Sequence, residues 1–207
     1  LAEFAMEWVG PGLFDKAPYK HVICNGLING ADGQKISKSL GNYTDPLLLV
    51  EKFGADAFRY YLMSSPVIKG ESVSFKDTEL EDVYKKLVQR LENVLSLYEM
   101  NRPSEVAMSS SSSDVLDAWI VGRVHDVVRA STDGYDNYRL DDATRPIDQF
   151  VDDLSVWYVR RSRSKLKGDE GEDAQARTYG VLAYVLHVFS RAIAPVMPFI
   201  AERIYMT

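Results

Sequence analysis

The chain has 207 residues, 46% hydrophobic and 26% charged, with 24 basic against 30 acidic side chains and a formal net charge of −6. This composition fits one large or two modest globular domains and excludes collagen-like and disordered chains. The negative charge argues against a surface dominated by nucleic-acid attraction, so any RNA contact must be a local basic patch. In chain order, the β-branched run 20–30, closed by glycines, predicts a buried strand. Asn29-Gly30 and Asp32-Gly33 predict turns, and the polar, lysine-bearing segment Gln34 to Asn42 predicts an exposed loop. Asp45-Pro46 supplies an N-cap and a first-turn proline for a short helix that stops at Gly54. Asp56 is expected to cap a second short helix, which Pro66 ends.

From Thr78 the pattern becomes helical. Thr78 and Glu81 read as a capping box, followed by Leu80, Val83, Tyr84, Leu87, Leu91, Val94, Leu95 and Tyr98 at helical spacing. Asn101 to Ser113, with Pro103 and a run of serines, cannot build a core and predicts a loop. Leu116, Ile120, Val124 and Val127 mark the next helix, with Gly134 as its close. Ile147, Phe150, Val151, Leu154, Trp157 and Tyr158 mark a third, with Pro146 in its first turn because an interior proline costs about 3 kcal/mol. Acidic residues 168–173 interrupt before Leu182, Val185, Leu186, Phe189 and Ile193 mark a fourth, broken at Pro195 and Pro198. The expected fold is mainly α: a short α/β piece over residues 1–73, then an antiparallel helix bundle over 74–207. The start at Leu1 and the end inside an apolar helical pattern read as part of something longer.

A single cysteine, Cys24, excludes an internal disulfide, and three histidines at distant positions make no zinc-ligand pattern, so no zinc is expected. No apolar run approaches the roughly 20 residues that cross a bilayer, and no basic start leads an apolar stretch. The expectation is a cytoplasmic monomer with no membrane partner.

Lys35-Ile36-Ser37-Lys38-Ser39 sets two ammonium groups three residues apart, separated by hydroxyls, in a loop between a strand and a helix. Such a loop can wrap a polyphosphate: lysine offers a flexible point charge, and hydroxyls and loop N–H groups add donors. By composition alone, a solvated lysine-serine loop is the commoner explanation. The surrounding residues change that balance. Asn25-Gly26-Leu27, Asp32 to Asn42, Asp45-Pro46 and Phe53 to Arg59 closely resemble the KMSKS region of class I aminoacyl-tRNA synthetases over about 40 residues. The resemblance implies that the α/β piece is the C-terminal part of a Rossmann-like catalytic domain. It also implies that the loop binds ATP, with magnesium accompanying the nucleotide, while an amino-acid carboxylate attacks the α-phosphate. Carried over, Lys35 and Lys38 are the catalytic phosphate lysines, and Ile36, Ser37 and Ser39 complete the ATP-binding loop, with Ile36 standing where methionine is usual.

Three stretches resemble the isoleucine branch of that family: Asn42-Tyr43 before Asp45-Pro46, Ser64-Ser65-Pro66-Val67, and Asp152 to Arg163. Thr44 departs from the usual proline. The implied activity is ATP-dependent activation of isoleucine and its transfer to tRNA. The alternatives are a valine or leucine branch, or a non-catalytic tRNA-binding or scaffolding module. No His-x-Gly-His occurs in the chain, so the other half of the family's ATP site is missing and the chain alone is expected to be inactive. Residues 1–11 match the family poorly.

The resemblance also implies that the bundle grips the tRNA anticodon arm. Residues 160–167 hold Arg160, Arg161, Arg163, Lys165 and Lys167 without an acid, whereas residues 136–153 hold six aspartates against two arginines. The expected RNA contacts are Trp157, Tyr158, Arg160, Arg161 and Arg163, by phosphate pairing and base stacking. At least one of Trp157 and Tyr158 is expected to serve as core instead, since both continue the apolar stripe. One of Arg160 and Arg161 is expected to solvate or to pair with Asp152 or Asp153.

Overall fold

A computed structural model describes residues 20–37 and 39–207. The expectations for Lys38 and for residues 1–11 lie outside the described residues. Strand β1 (Ile28–Asn29) pairs in parallel with β2 (Val73–Ser74), Ile28 opposite Val73. The buried strand expected over 20–30 is cut to these two residues, and Val22, Ile23 and Leu27 are exposed. The reason is the lack of neighbours: among the described residues β1 has no strand on its other edge that could bury a longer run.

Helix α1 (Pro46–Phe53) begins as the sequence indicates, with the Asp45 carboxylate accepting the Leu47 N–H at 2.9 Å and Pro46 in the first turn. Helix α2 (Ala55–Ser64) does not begin as expected, because its N-cap is Gly54 and no side chain caps it. Asp56 is turned instead across the molecule. Its two oxygens accept the N–H groups of Phe199 and Ile200, at 3.3 and 2.7 Å, and so cap helix α9 (Pro198–Tyr205). Burial pushes the Asp56 carboxyl above its ordinary range, and those N–H bonds oppose the shift. One turn on, Arg59 donates to the carbonyls of Val196 and Pro195 at 2.9 and 2.8 Å. An acid and a base three residues apart on α2 thus hold both sides of the elbow between α8 (Glu172–Ile193) and α9.

The long helix expected from Thr78 forms over α3 (Asp77–Val83), a π-helical turn (Tyr84–Val88) and α4 (Gln89–Asn101). Its capping box is absent. The N-cap is Lys76, Thr78 lies inside the helix, and Glu81 pairs with Lys85 one turn ahead. Helix α5 (Val115–Asp136) continues past Gly134. The glycine serves a close approach: a Cβ there would sit 2.6 Å from the backbone nitrogen of Ala143, on α6 (Leu140–Asp152). Gly134→Ala should lower stability by about 1–3 kcal/mol through overpacking, less the roughly 1 kcal/mol gained in helix propensity. Thermal unfolding checks this, and a raised midpoint would refute it.

Pro146 is interior to α6 rather than in its first turn. The helix starts earlier because Asp141, Ala143 and Thr144 are buried against α5 and α2, and this packing outweighs the proline penalty. Neighbouring side chains also reach the carbonyls of the disturbed turn: the Ser131 hydroxyl donates to Ala143 O at 2.8 Å and the Tyr60 hydroxyl to Thr144 O at 3.4 Å. A second π-helical turn (Asp153–Val159) follows, then α7 (Arg163–Lys167). One continuous apolar core runs from Leu49 and Phe53 through Leu91, Val124, Phe150, Leu182 and Phe189 to Ile204. Among the described residues no helix is long and apolar enough to cross a membrane.

Candidate functional site

The lysine loop is built on a side chain to which sequence reading assigned no role. After β1 the chain turns so that Gly30 N–H donates to Gln34 O at 2.8 Å, and Asn29 and Lys35 form an isolated antiparallel bridge. Asn42, at the far end, spans the loop. Its Oδ1 accepts the Ser37 N–H at 3.1 Å, and its Nδ2 lies 3.3 Å from Lys35 O and from both oxygens of Asp32. Gly30 is required here, since a Cβ would lie 2.4 Å from the carbonyl oxygen of Asn42. The Ser37 and Ser39 hydroxyls meet at 2.7 Å, and the N–H groups of Leu40 and Gly41 both donate to Ser37 O.

The result is a loop with a fixed base and an outward face. Lys35 and Ser39 are exposed and Ile36 and Ser37 half-buried. Thr44, at the position of the family's usual proline, donates to Asp77 Oδ2 at 2.8 Å and ties the loop to the start of α3. Beside it a cleft of about 520 Å³ is lined by Gly30, Asn42, Tyr43, Thr44, Phe75 and Lys76. The arrangement leaves the Lys35 and Ser39 side chains exposed on a braced loop, and an ammonium and a hydroxyl are groups that receive phosphate oxygens. Among the described residues no cluster of three or more His, Cys, Asp or Glu side chains is placed to hold a metal ion.

The second candidate site lies on the π-helical turn and α7. Trp157 is 47% exposed and the Arg161 guanidinium covers its ring, 3.9 Å from the centroid. Arg160, Arg161, Arg163 and Lys167 are exposed, and among the described residues no carboxylate pairs with any of them. Tyr158 is the core member of the aromatic pair. It is 0% exposed and its hydroxyl donates to Asp117 at 2.8 Å, so it cannot stack on a base. Lys165 is held by Asp114. The expected pairing of Arg160 or Arg161 with Asp152 or Asp153 does not occur, because Arg90 on α4 takes Asp152 and Arg123 on α5 takes Asp153 at 2.8 Å. Sequence reading missed these two arginines, as nothing local marks partners 62 and 30 residues away. Their effect is to neutralise two acids on the N-terminal side of the arginine segment, while on its other side Glu170 accepts the Ser164 hydroxyl. His125 contacts Tyr184 at 3.1 Å and His187 stacks on Tyr205.

This pairing of a lysine loop with a helical bundle has a match in known proteins. Residues 4–74 match the family profile described as tRNA synthetases class I (I, L, M and V), and residues 117–207 that of the anticodon-binding domain of tRNA ligase. The first match begins at residue 4, so the expectation that residues 1–11 fall outside the family is corrected for most of that stretch. The chain belongs to the class I aminoacyl-tRNA synthetases. Within that class it is similar to the isoleucine–tRNA ligases. The cytoplasmic isoleucine–tRNA ligase of Saccharomyces cerevisiae is 35% identical over 98% of this chain and 20% of that protein. The corresponding ligase of Caenorhabditis elegans is 36% identical over 94% of this chain and 18% of its own length, and that of Chlamydia trachomatis 34% over 98% and 20%. The chain thus spans about a fifth of the length of these relatives.

Two solved structures share the fold. The Mycobacterium tuberculosis methionyl-tRNA synthetase in complex with methionyl-adenylate superposes with a TM-score of 0.68 at 26% identity, over 87% of this chain and 36% of its own. The Agrobacterium radiobacter K84 LeuRS, in a ternary complex with tRNA and LeuAMS, gives 0.69 at 21% identity, over 99% of this chain and 24% of its own.

Proposed function

We propose that the chain is the part of an isoleucine–tRNA ligase that carries the second half of the ATP site and the tRNA-gripping bundle, with catalytic-domain residues 1–73 followed by bundle residues 74–207. The observation that supports this most is the Asn42-braced loop presenting Lys35 beside an open cleft, in a chain whose similarity to isoleucine–tRNA ligases runs from end to end. In this reading ATP lies against the loop, Lys35 and Lys38 meet its phosphate oxygens, and the Ser37 and Ser39 hydroxyls add donors. The lysines gain most as negative charge develops on departing pyrophosphate. Magnesium travels with the nucleotide, and isoleucine and isoleucine-accepting tRNA are the co-substrates. Trp157, Arg160, Arg161 and Arg163 contact the tRNA, and the protein works as a monomer in the cytoplasm.

The longer protein that contains this segment should exchange pyrophosphate into ATP in the presence of isoleucine. The 207-residue chain by itself should not, because it supplies only one side of the phosphate site and proximity of both sides is what makes the reaction fast. Isoleucine-dependent exchange by the isolated chain above a no-enzyme control would overturn that division of labour. Exchange by the longer protein with valine or leucine in preference to isoleucine would reassign the substrate.

A further inference from the structure

The arginine segment is tethered at both ends to the start of one helix. At one end, the fully buried Tyr158 donates its hydroxyl to Asp117 Oδ1 at 2.8 Å, and Asp117, only 2% exposed, accepts the Ser112 hydroxyl on Oδ2 at 2.8 Å. At the other end Lys165 reaches Oδ2 of Asp114, whose Oδ1 accepts the N–H groups of Leu116 and Asp117 as the N-cap of α5. Arg160, Arg161 and Arg163 lie between these anchors.

Stability alone is a poor account of this arrangement. A buried carboxylate is costly to desolvate, and an apolar pair of similar volume at 117 and 158 is commonly neutral or stabilising. A satisfied buried polar cluster does something apolar packing does not, which is to admit one relative placement of the elements that share it. The element placed here includes a π-helical turn, a feature found frequently at functional sites.

We propose that Asp117 and Asp114 fix the orientation in which the arginine segment meets RNA, so that Tyr158 and Lys165 are positioning residues rather than RNA contacts. This rests on the RNA-binding reading above. When an anchor is cut, the segment spends less time in the competent orientation, and the apparent dissociation constant rises by the inverse of that fraction. The competent state itself keeps its phosphate contacts, so the slope of log affinity against log salt stays as it was.

The test measures binding of isoleucine-accepting tRNA to the 207-residue chain over a salt series, alongside thermal unfolding. Tyr158→Phe keeps the ring and is expected to weaken binding about three- to tenfold at unchanged slope. Asp114→Asn keeps an N-capping side chain and so the start of α5. It removes a negative charge and frees Lys165, so simple electrostatics predicts tighter binding, whereas positioning predicts weaker binding at unchanged slope. Asp117→Asn retains an acceptor for Tyr158 and is expected to bind within about twofold of the parent. Native-like affinity in folded Tyr158→Phe, or equal or tighter binding by Asp114→Asn, would reduce the anchors to a structural role and overturn the proposal. A shallower slope in either would do so as well, since it would mean that the bound state pairs with fewer phosphates rather than being reached less often. If the parent chain shows no salt-dependent tRNA binding, the RNA reading falls and takes this proposal with it, an outcome distinct from a parent that binds and variants that match it.

Discussion

Lys38→Ala in the longer protein is expected to slow isoleucyl-adenylate formation by on the order of 2–4 kcal/mol, with a smaller change in the Michaelis constant for isoleucine. The reasoning starts from when the charge is needed. Bound ATP is already surrounded by cations, and the extra negative charge appears on pyrophosphate as the bond to the α-phosphate breaks. An ammonium placed for that moment lowers the barrier more than it tightens binding. The loop is suited to such placement because Asn42 locks its base through Ser37 N–H and Lys35 O while the Lys35 side chain stays exposed. The same logic gives Asn42→Ala a distinct signature. It removes no charge but frees the loop, so both the rate and the ATP Michaelis constant should suffer. Pyrophosphate exchange at saturating and subsaturating isoleucine and ATP separates the two variants. An unchanged rate for Lys38→Ala would return the loop to a solvated lysine-serine turn.

What the sequence showed well was local. Asp45-Pro46 starts α1 because an N-cap and a first-turn proline act within a few residues, and the apolar spacing of Ile120, Val124 and Val127 fixes the buried face of α5. The exposed loop expected between Gln34 and Asn42 is in place, with Lys35, Ser39 and Leu40 exposed. Misreadings arose where a residue serves a distant partner. Asp56 looks like the cap of its own helix and caps α9 instead. Gly134 looks like a helix stop, and its missing side chain admits Ala143 from the next helix. Pro146 looks like a first-turn residue, and tertiary burial extends the helix back beyond it. Tyr158 continues the same stripe as Trp157, yet only the structure shows that its hydroxyl satisfies a carboxylate 41 residues away. Periodicity reports which face is apolar, whereas polar partners across the core have no period to report.

Neutralising Arg160, Arg161 and Arg163 together should abolish most low-salt tRNA binding by the chain and flatten its salt dependence by about one unit for each phosphate left unpaired. At tens of millimolar salt each arginine–phosphate pair is worth roughly tenfold, so the triple Gln variant should bind on the order of a thousandfold more weakly. The net charge of −6 does not oppose this, because the relevant field is local and Asp152 and Asp153, on the N-terminal side of the segment, are already paired with Arg90 and Arg123. Folding should survive, since all three side chains are exposed and the anchors Tyr158 and Lys165 are left in place. Trp157→Ala supplies the contrast: it removes a ledge for a base but no charge, so it should weaken binding without changing the slope. A triple variant that stays folded and binds tRNA with the parent's affinity and slope would make the arginine segment a solvated face and move RNA recognition elsewhere on the bundle.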